Sequence, residues 1–288
     1  MAAEHGGTVA ARVEPITLDA ETEVYGILGR PVSHSLSPAM HNAAFQKIGL
    51  NAVYVAFPVT DLPQAVAGLK GLGIRGVSVT IPFKEEIIPL LDDLDSQAAR
   101  MGAVNTVVNR DGRLLGYNTD WLGARAALQQ HTHIAGQHFL VLGAGGASRA
   151  IVFALKEEGG KVTVTDVDHS RALSLSKDFG AEAIPLSALT ECPAQILINA
   201  TPVGMAPAVD DLPLPPHLLE RFTLVMDIVY RPLATRLLRE AEKRGCRTID
   251  GLQMLIHQAT AQFELFTGLT APLEVMAKAV YEKVRREP

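Results

Sequence analysis

The chain has 288 residues, of which 48% are apolar and 20% charged, with 24 glycines; this composition predicts an ordinary globular protein of one large or two modest domains. A formal net charge of −5 leaves no basic footprint for nucleic acid or an anionic membrane surface, so neither is an expected partner. Cys192 and Cys246 are the only cysteines, too few for a disulfide framework and without zinc-ligand spacing, which fits a reducing, cytoplasmic setting. Residues 1–20 lack the apolar run of a signal peptide, and no stretch reaches the roughly 18 apolar residues of a membrane span. Residues 1–22 read as a flexible tail.

From Glu23 onward strand and helix patterns alternate. Val24-Tyr-Gly-Ile-Leu predicts a strand, 39–50 a helix, and Ala52-Val-Tyr-Val-Ala-Phe a second strand. A helix over 62–72, a strand over 76–81 and a helix over 85–91 broken by Pro89 follow. Short apolar strands alternating with helices imply a parallel-rich α/β layer. After a helix over 124–130 the pattern begins again: strand 139–142, helix 147–158 with Gly159-Gly160 to cap it, strand 161–165, helix 171–179 and strand 195–199. Strand 224–229, helix 235–244 and strand 247–249 complete a doubly wound sheet. Two amphipathic helices, 254–266 and 273–284, end the chain. The fold class is therefore α/β with two α/β domains.

Leu140-Val-Leu-Gly143-Ala-Gly145-Gly146-Ala-Ser148 is an apolar strand entering a glycine-dense turn. Gly143 permits the turn and Gly145 lets a pyrophosphate approach the backbone. The helix opening near Ala147 offers free N–H groups to its charge. Ser148 stands at the third small position of the fingerprint, so taken alone the motif also reads as a plain strand-to-helix turn. Asp166 lies at the end of the next strand, about 20 residues on, where a carboxylate accepts from ribose hydroxyls and repels a 2′-phosphate. Arg149 and Arg171 are nearby in sequence; the alternative for Asp166 is a local cap. Three polar clusters precede this unit: Ser33-His-Ser35-Leu-Ser37-Pro, Ser78-Val-Thr80-Ile-Pro-Phe-Lys84, and Ala103-Val-Asn105-Thr with Gly116-Tyr-Asn118-Thr-Asp120. Hydroxyls, an amide, a lysine and a carboxylate suit a polyol ligand read by hydrogen bonds, while Ser37-Pro38 equally reads as a helix cap.

In this order the motifs resemble the shikimate and quinate/shikimate dehydrogenases over residues 24–284. The resemblance rests on His34-Ser35-Leu-Ser37-Pro38, Val79-Thr80-Ile-Pro82-Phe-Lys84, Ala103-Val-Asn105-Thr, Asn118-Thr-Asp120, Gly143-Ala-Gly-Gly-Ala-Ser-Arg149, Asn199-Ala-Thr-Pro-Val-Gly-Met205 and Asp250-Gly251 through Gln258. It implies reversible hydride transfer between a nicotinamide cofactor and 3-dehydroshikimate, giving shikimate in aromatic amino-acid biosynthesis. It also implies a cleft between a substrate domain, residues 23–121 plus 252–288, and a Rossmann-type dinucleotide domain, residues 122–251, with the last helices returning to the first. By the same resemblance Lys84 is the acid/base beside Asp120, and Ser35, Ser37, Thr80, Asn105, Asp120, Tyr230 and Gln258 hold substrate. Gly143, Ala144, Gly145, Gly146, Ala147, Asp166, Arg171, Ile228 and Gly251 line the cofactor.

Three departures stand out. Common members carry Asn-Arg-Thr and prefer NADP where this chain has Asp166-Val167-Asp168, which favours NAD while NADP stays open. Ser78 stands where asparagine is frequent, and Gln253 where glycine is. An NAD-dependent quinate/shikimate dehydrogenase and a non-catalytic dinucleotide sensor are the alternatives. Shikimate or 3-dehydroshikimate, with quinate as a variant, is the expected partner; no metal site is expected, and a homodimer is left open.

Overall fold

The computed structural model describes residues 18–286; residues 1–17 of the expected tail lie outside it. From Asp19 the chain is tied down rather than loose. Thr22 Oγ1 donates to Asn51 Oδ1 at 2.8 Å, and Asn51 Nδ2 donates to Asp19 Oδ1 at 2.8 Å.

The first domain begins with β1 (Glu23–Gly29), α1 (Ser37–Ile48), β2 (Ala52–Pro58), α2 (Leu62–Gly71) and β3 (Gly76–Val79). Gly49, at φ 68°, ends α1, and the Asp61 carboxylate caps α2 by accepting from Gln64 N. The helix expected over 85–91 does not form. Pro89 offers no N–H, and the segment winds through turns into a 3-10 turn at Ile88–Leu90. Next come β4 (Asp93–Leu94), α3 (Ser96–Met101), β5 (Thr106–Arg110) and β6 (Arg113–Tyr117). The last two form a hairpin whose two-residue turn has Asp111 at φ 53° and Gly112 at φ 86°, the backbone that Asp-Gly favours. Strand order is β2-β1-β3-β5-β6-β4. Only the β2-β1-β3 side is wholly parallel, because β5 runs antiparallel to both β3 and β6.

Helix α4 (Asp120–Gln129) leads into the second domain. It starts four residues earlier than the apolar pattern indicated, on the acidic residue that suits the positive end of a helix. The second domain runs β7 (His138–Leu142), α5 (Gly146–Glu157), β8 (Lys161–Thr165), α6 (His169–Phe179), β9 (Glu182–Ala183), β10 (Ile196–Asn199), β11 (Leu224–Asp227), α7 (Arg236–Glu242) and β12 (Arg247–Ile249). Its sheet is all parallel in the order β12-β11-β10-β7-β8-β9. The order in which successive strands are added reverses between β7 and β10, and such a switch point leaves a crevice beyond the strand C-termini.

Helices α8 (Gly251–Thr267) and α9 (Leu273–Arg286) return to the first domain. Their Leu252, Ile256, Phe263, Met276 and Val280 complete one apolar core with Tyr25, Ile27, Phe45 and Tyr54. Among the described residues no helix is long and apolar enough to cross a membrane.

The two chain connections between the domains, α4 and α8, cross at Gly123. A Cβ there would lie 2.5 Å from the Met254 carbonyl oxygen and 2.9 Å from Gln258 N. Helix propensity alone favours alanine over glycine by about 1 kcal/mol, but backbone atoms on both sides cannot yield as a side chain would. Overpacking of ~1–3 kcal/mol therefore decides the sign. Gly123→Ala is expected to lower the urea unfolding midpoint; an unchanged or raised midpoint would show that the crossing has slack.

Candidate active site

Lys84 sits in the turn after β3. Its carbonyl accepts from Val104 N at 2.8 Å, which pins that turn to the segment entering β5. Its ammonium donates to Asp120 Oδ2 at 2.5 Å, with the lysine side chain 18% and the aspartate 10% exposed. Asp120 is the first residue of α4, where a carboxylate meets the helix dipole favourably. Its other oxygen accepts from Asn105 Nδ2 at 2.8 Å. Asn105 Oδ1 accepts from Thr119 N at 2.7 Å, so the amide orientation is set by a backbone donor. Gln258 reaches this group from α8, its Oε1 lying 3.4 Å from Asn105 Nδ2.

The other expected substrate residues surround this cluster unevenly. Ser35 and Ser37 lie at the entrance to α1, with Ser37 N donating to Ser35 Oγ at 3.2 Å. Ser37 is the first helical residue and makes no capping bond; Leu36 holds the cap position, so the hydroxyl is not spent on the helix end as the cap reading supposed. Thr80 N donates to Leu28 O, and its methyl fills the space that a Cβ on Gly29 would need. Tyr230 comes from the second domain yet packs against the core of the first; burial raises its phenol pKa.

Across the cleft is the glycine turn between β7 and α5. Gly143 has φ 99°, a Cβ on it would meet Thr201 Cγ2 at 2.9 Å, and a Cβ on Gly146 would lie 3.9 Å from Lys84 Cδ. The turn thus faces the lysine directly. Ala144, Gly145, Gly146 and Arg171 line one pocket together with Glu85, Arg149, Ser174 and Leu175. The bare backbone at Gly145 and Gly146, opening onto the first turn of a 12-residue helix, fits a dinucleotide pyrophosphate.

Asp166 holds the turn itself. Its Oδ2 accepts from Ala144 N at 2.7 Å, and its Oδ1 from Asp168 N at 2.9 Å, while the helix cap of α6 falls to Asp168. Both nearby arginines line this pocket, but Arg149 is already engaged, with Nε on Met101 O and Nη1 on Asp178 Oδ2. Arg171 leans over the turn, its Nη2 3.5 Å from Ala144 O. Gly251 is needed for packing: a Cβ would stand 2.5 Å from Ile228 O and 2.6 Å from Val229 O.

Glu85 is not singled out by the motifs; an acid beside the lysine signals nothing until the turn folds toward Gly146. Asp227 escapes for a different reason, since at the end of β11 it reads as strand punctuation. It is fully buried. Oδ1 accepts from Asn199 Nδ2 at 2.9 Å and Val229 N at 3.0 Å, and Oδ2 accepts from Thr235 Oγ1 at 2.7 Å. It therefore ties the loops after β10 and β11 together, next to Ile228 and Tyr230.

A second bridge joins the domains at the back of the cleft. Arg100 on α3 makes a two-pronged ion pair with Glu157 on α5, at 2.9 and 2.7 Å. Met101 is buried beside Ala150 and Phe153, and Trp121 packs edge-on to Phe153.

Two α/β domains with a glycine turn facing a lysine–aspartate pair define a dinucleotide-dependent oxidoreductase. Comparisons with known proteins narrow this. Residues 27–107 match the model of the shikimate dehydrogenase substrate binding domain, and residues 251–281 that of the shikimate 5′-dehydrogenase C-terminal domain. A protein of Pyrococcus abyssi named shikimate dehydrogenase (NADP(+)) is 47% identical, over 91% of this chain and 98% of its own. The shikimate 5-dehydrogenase of Thermus thermophilus, solved with NADP(H) and shikimate, is 42% identical with a TM-score of 0.84, covering 92% of this chain and 99% of its own. That of Listeria monocytogenes, solved with shikimate and NAD, is 35% identical with a TM-score of 0.84, covering 91% of this chain and 98% of its own. The chain belongs to the shikimate dehydrogenase family.

Burial raises the Asp227 carboxyl from its usual 3.8 to about 6 against three lowering hydrogen bonds. The folded protein therefore binds this proton more tightly than the unfolded chain. The associated stability is full below about pH 4 and lost as pH rises through 6, a term of roughly 2–3 kcal/mol. Asp227→Asn should flatten the pH dependence of the urea-unfolding free energy across that window; an unaltered slope would remove Asp227 from it.

Proposed function

We propose that this chain catalyses the reversible, nicotinamide-dependent interconversion of shikimate and 3-dehydroshikimate. The observation that carries the reading is the partly buried Lys84–Asp120 pair, 2.5 Å apart and set against Gly146 of the glycine turn. A bound nicotinamide supplies or takes up the hydride. In the reductive direction the ketone oxygen gains negative charge, and the Lys84 ammonium stabilises that charge and delivers the proton. Asp120 pairs with the ammonium, accepts from Asn105 and leaves acceptor capacity for a substrate hydroxyl. Ser35, Ser37, Thr80, Asn105, Tyr230 and Gln258 are assigned to substrate, because donors and acceptors in fixed positions discriminate a polyol by leaving a wrong one unpaired. The substrate part is residues 23–121 with 252–288, and the dinucleotide part is residues 122–251.

On the cofactor side Gly143, Ala144, Gly145, Gly146 and Ala147 take the pyrophosphate, and Ile228 and Gly251 flank the nicotinamide end. Asp166 and Asp168 put two carboxylates near the adenosine ribose, against Arg171 and an Arg149 whose charge is already met by Asp178. This balance supports NAD as the favoured cofactor, with NADP accepted, although the Pyrococcus abyssi relative is named for NADP(+). Two buried free thiols accord with a cytoplasmic setting, and light scattering would test a homodimer.

Steady-state oxidation of shikimate with each cofactor, with quinate for comparison, tests the reading. Turnover of shikimate with kcat/KM higher for NAD is expected; a strong NADP preference would sink the role given to Asp166, and no turnover of either polyol would sink the function. Lys84→Ala should lower kcat by about 10²–10⁴-fold while a calorimetric titration with shikimate keeps its affinity. Unchanged kcat would remove Lys84 from proton transfer.

A further inference from the structure

The hydrogen bonds of the cleft do not stop at Asn105. Thr106 Oγ1 donates to Asn105 Oδ1 at 2.7 Å. Gln262 Nε2 in turn donates to Thr106 Oγ1 at 2.9 Å and to the Asn105 carbonyl at 3.0 Å. Ser78 Oγ donates to Gln262 Oε1 at 2.8 Å, and Tyr54 Oη donates to Ser78 Oγ at 2.6 Å. Tyr54 is 1%, Ser78 4%, Thr106 0% and Gln262 1% exposed, so water does not compete for these bonds.

The direction of every bond follows from one fixed point. The Asn105 carbonyl can only accept, so it must face the Gln262 amide nitrogen, and the Gln262 oxygen must then face Ser78. Ser78 consequently donates to Gln262 and accepts from Tyr54. Thr106 accepts from Gln262 and spends its own proton on Asn105. The row of donors thus points from Tyr54 to Asp120, where Asn105 Nδ2 makes the last bond. Tyr54 is held by its neighbours: the His41 ring stacks on it with centroids 4.3 Å apart and planes 6° apart. Burial lowers the His41 pKa to about 3, so this partner stays neutral.

Thr119 N also holds the Asn105 amide, but Thr119 immediately precedes Asp120 and moves with it. The bonds through Gln262 instead refer Asn105 to β2, β3 and the turn of α8 beyond its crossing with Gly123, none of which carries Thr119 or Asp120. We propose that Tyr54, Ser78 and Gln262 are positioning residues for the reaction, fixing Asn105 and through it the Lys84–Asp120 pair against the substrate. This rests on the function proposed above. None of the three donates directly to that pair; Gln262 bears on it through Asn105 and Thr106, and Tyr54 also meets the Ser37 hydroxyl.

The test uses Tyr54→Phe, which deletes one hydroxyl and keeps the stacked ring, together with Ser78→Ala and Gln262→Met. Each neutral bond broken is expected to raise the shikimate KM ~3-fold, and Gln262→Met, which breaks three, by ~10-fold or more, with kcat falling alongside. The KM for the dinucleotide should stay within about twofold. Adding Ser78→Ala to Gln262→Met should have no further effect, because Ser78 reaches Asn105 only through Gln262. Shikimate KM and kcat both unchanged in Tyr54→Phe and Ser78→Ala, or both KM values rising equally, would overturn the proposal and leave these residues as core packing.

An activity-independent readout keeps the two claims separate. In ¹⁵N NMR of the full chain the Asn105 side-chain NH₂ should be protected from exchange, and Tyr54→Phe should reduce that protection; equal protection would count against the positioning role. If the wild-type protein fails to oxidise shikimate while this protection behaves as expected, the function fails and the positioning stands. Tyr54→Phe carries the test should Gln262→Met not fold.

Discussion

The contact of α4 with α8 at Gly123 is the constraint on which the rest of the molecule depends. One helix takes the chain out of the first domain and the other brings it back, and the absent Cβ lets their backbones touch. The start of α4 provides Asp120, and the facing turn of α8 provides Gln258. A wider crossing would part Gln258 from Asn105 and Thr119. At its own start α8 is held equally closely, since Gly251 lies under the carbonyls of Ile228 and Val229. Both domains are thereby referenced to the same pair of helices, and the geometry of the cleft follows from two glycines whose part is close backbone packing.

Electrostatics act on top of that packing in two ways. Asp120 is placed at a helix start, given an amide donor and paired with Lys84, so a carboxylate can be kept nearly dry. Asp227 is given three donors, and burial prevails over them. Its work is mechanical, binding two loops that would otherwise move independently beside the cofactor crevice. The outer bridge between Arg100 and Glu157 is half exposed, which places it among surface pairs worth at most about 1 kcal/mol. The apolar contact of Met101 with Ala150 and Phe153 is the firmer part of that junction.

Much of this is legible in the sequence because the chemistry is carried by short, ordered motifs. Lys84, Asn105, Asp120 and the glycine turn stand in those motifs and fall within one cleft. The periodicity also indicates the doubly wound sheet, and the family resemblance implies the return of the last helices. It fails where local pattern and tertiary role diverge. The hairpin of β5 and β6 goes unassigned although Asp111-Gly112 is a strong turn signal, because its strands are short and lie beside polar motif residues. Gly123 obscures the first turn of α4 by lowering its apparent helicity. Asp166 reads as a ribose acceptor, and its two bonds to the backbone of its own turn become visible only once β7 and β8 stand side by side. Tyr54 and Gln262 give no signal, since a tyrosine in an apolar strand and a glutamine in a long helix are ordinary, and nothing in their spacing relates one to the other.

The return of α8 and α9 also has a consequence for the order of synthesis. The core around Tyr25, Phe45 and Tyr54 includes Phe263, Met276 and Val280, so a sheet made before the dinucleotide domain is finished after it. Until those residues emerge, one face of the first sheet lacks its cover, while the inserted dinucleotide domain already has all its strands. The nascent protein thus completes its cofactor half first, and a chain truncated by its last 30 or so residues would expose apolar surface of the kind that chaperones recognise.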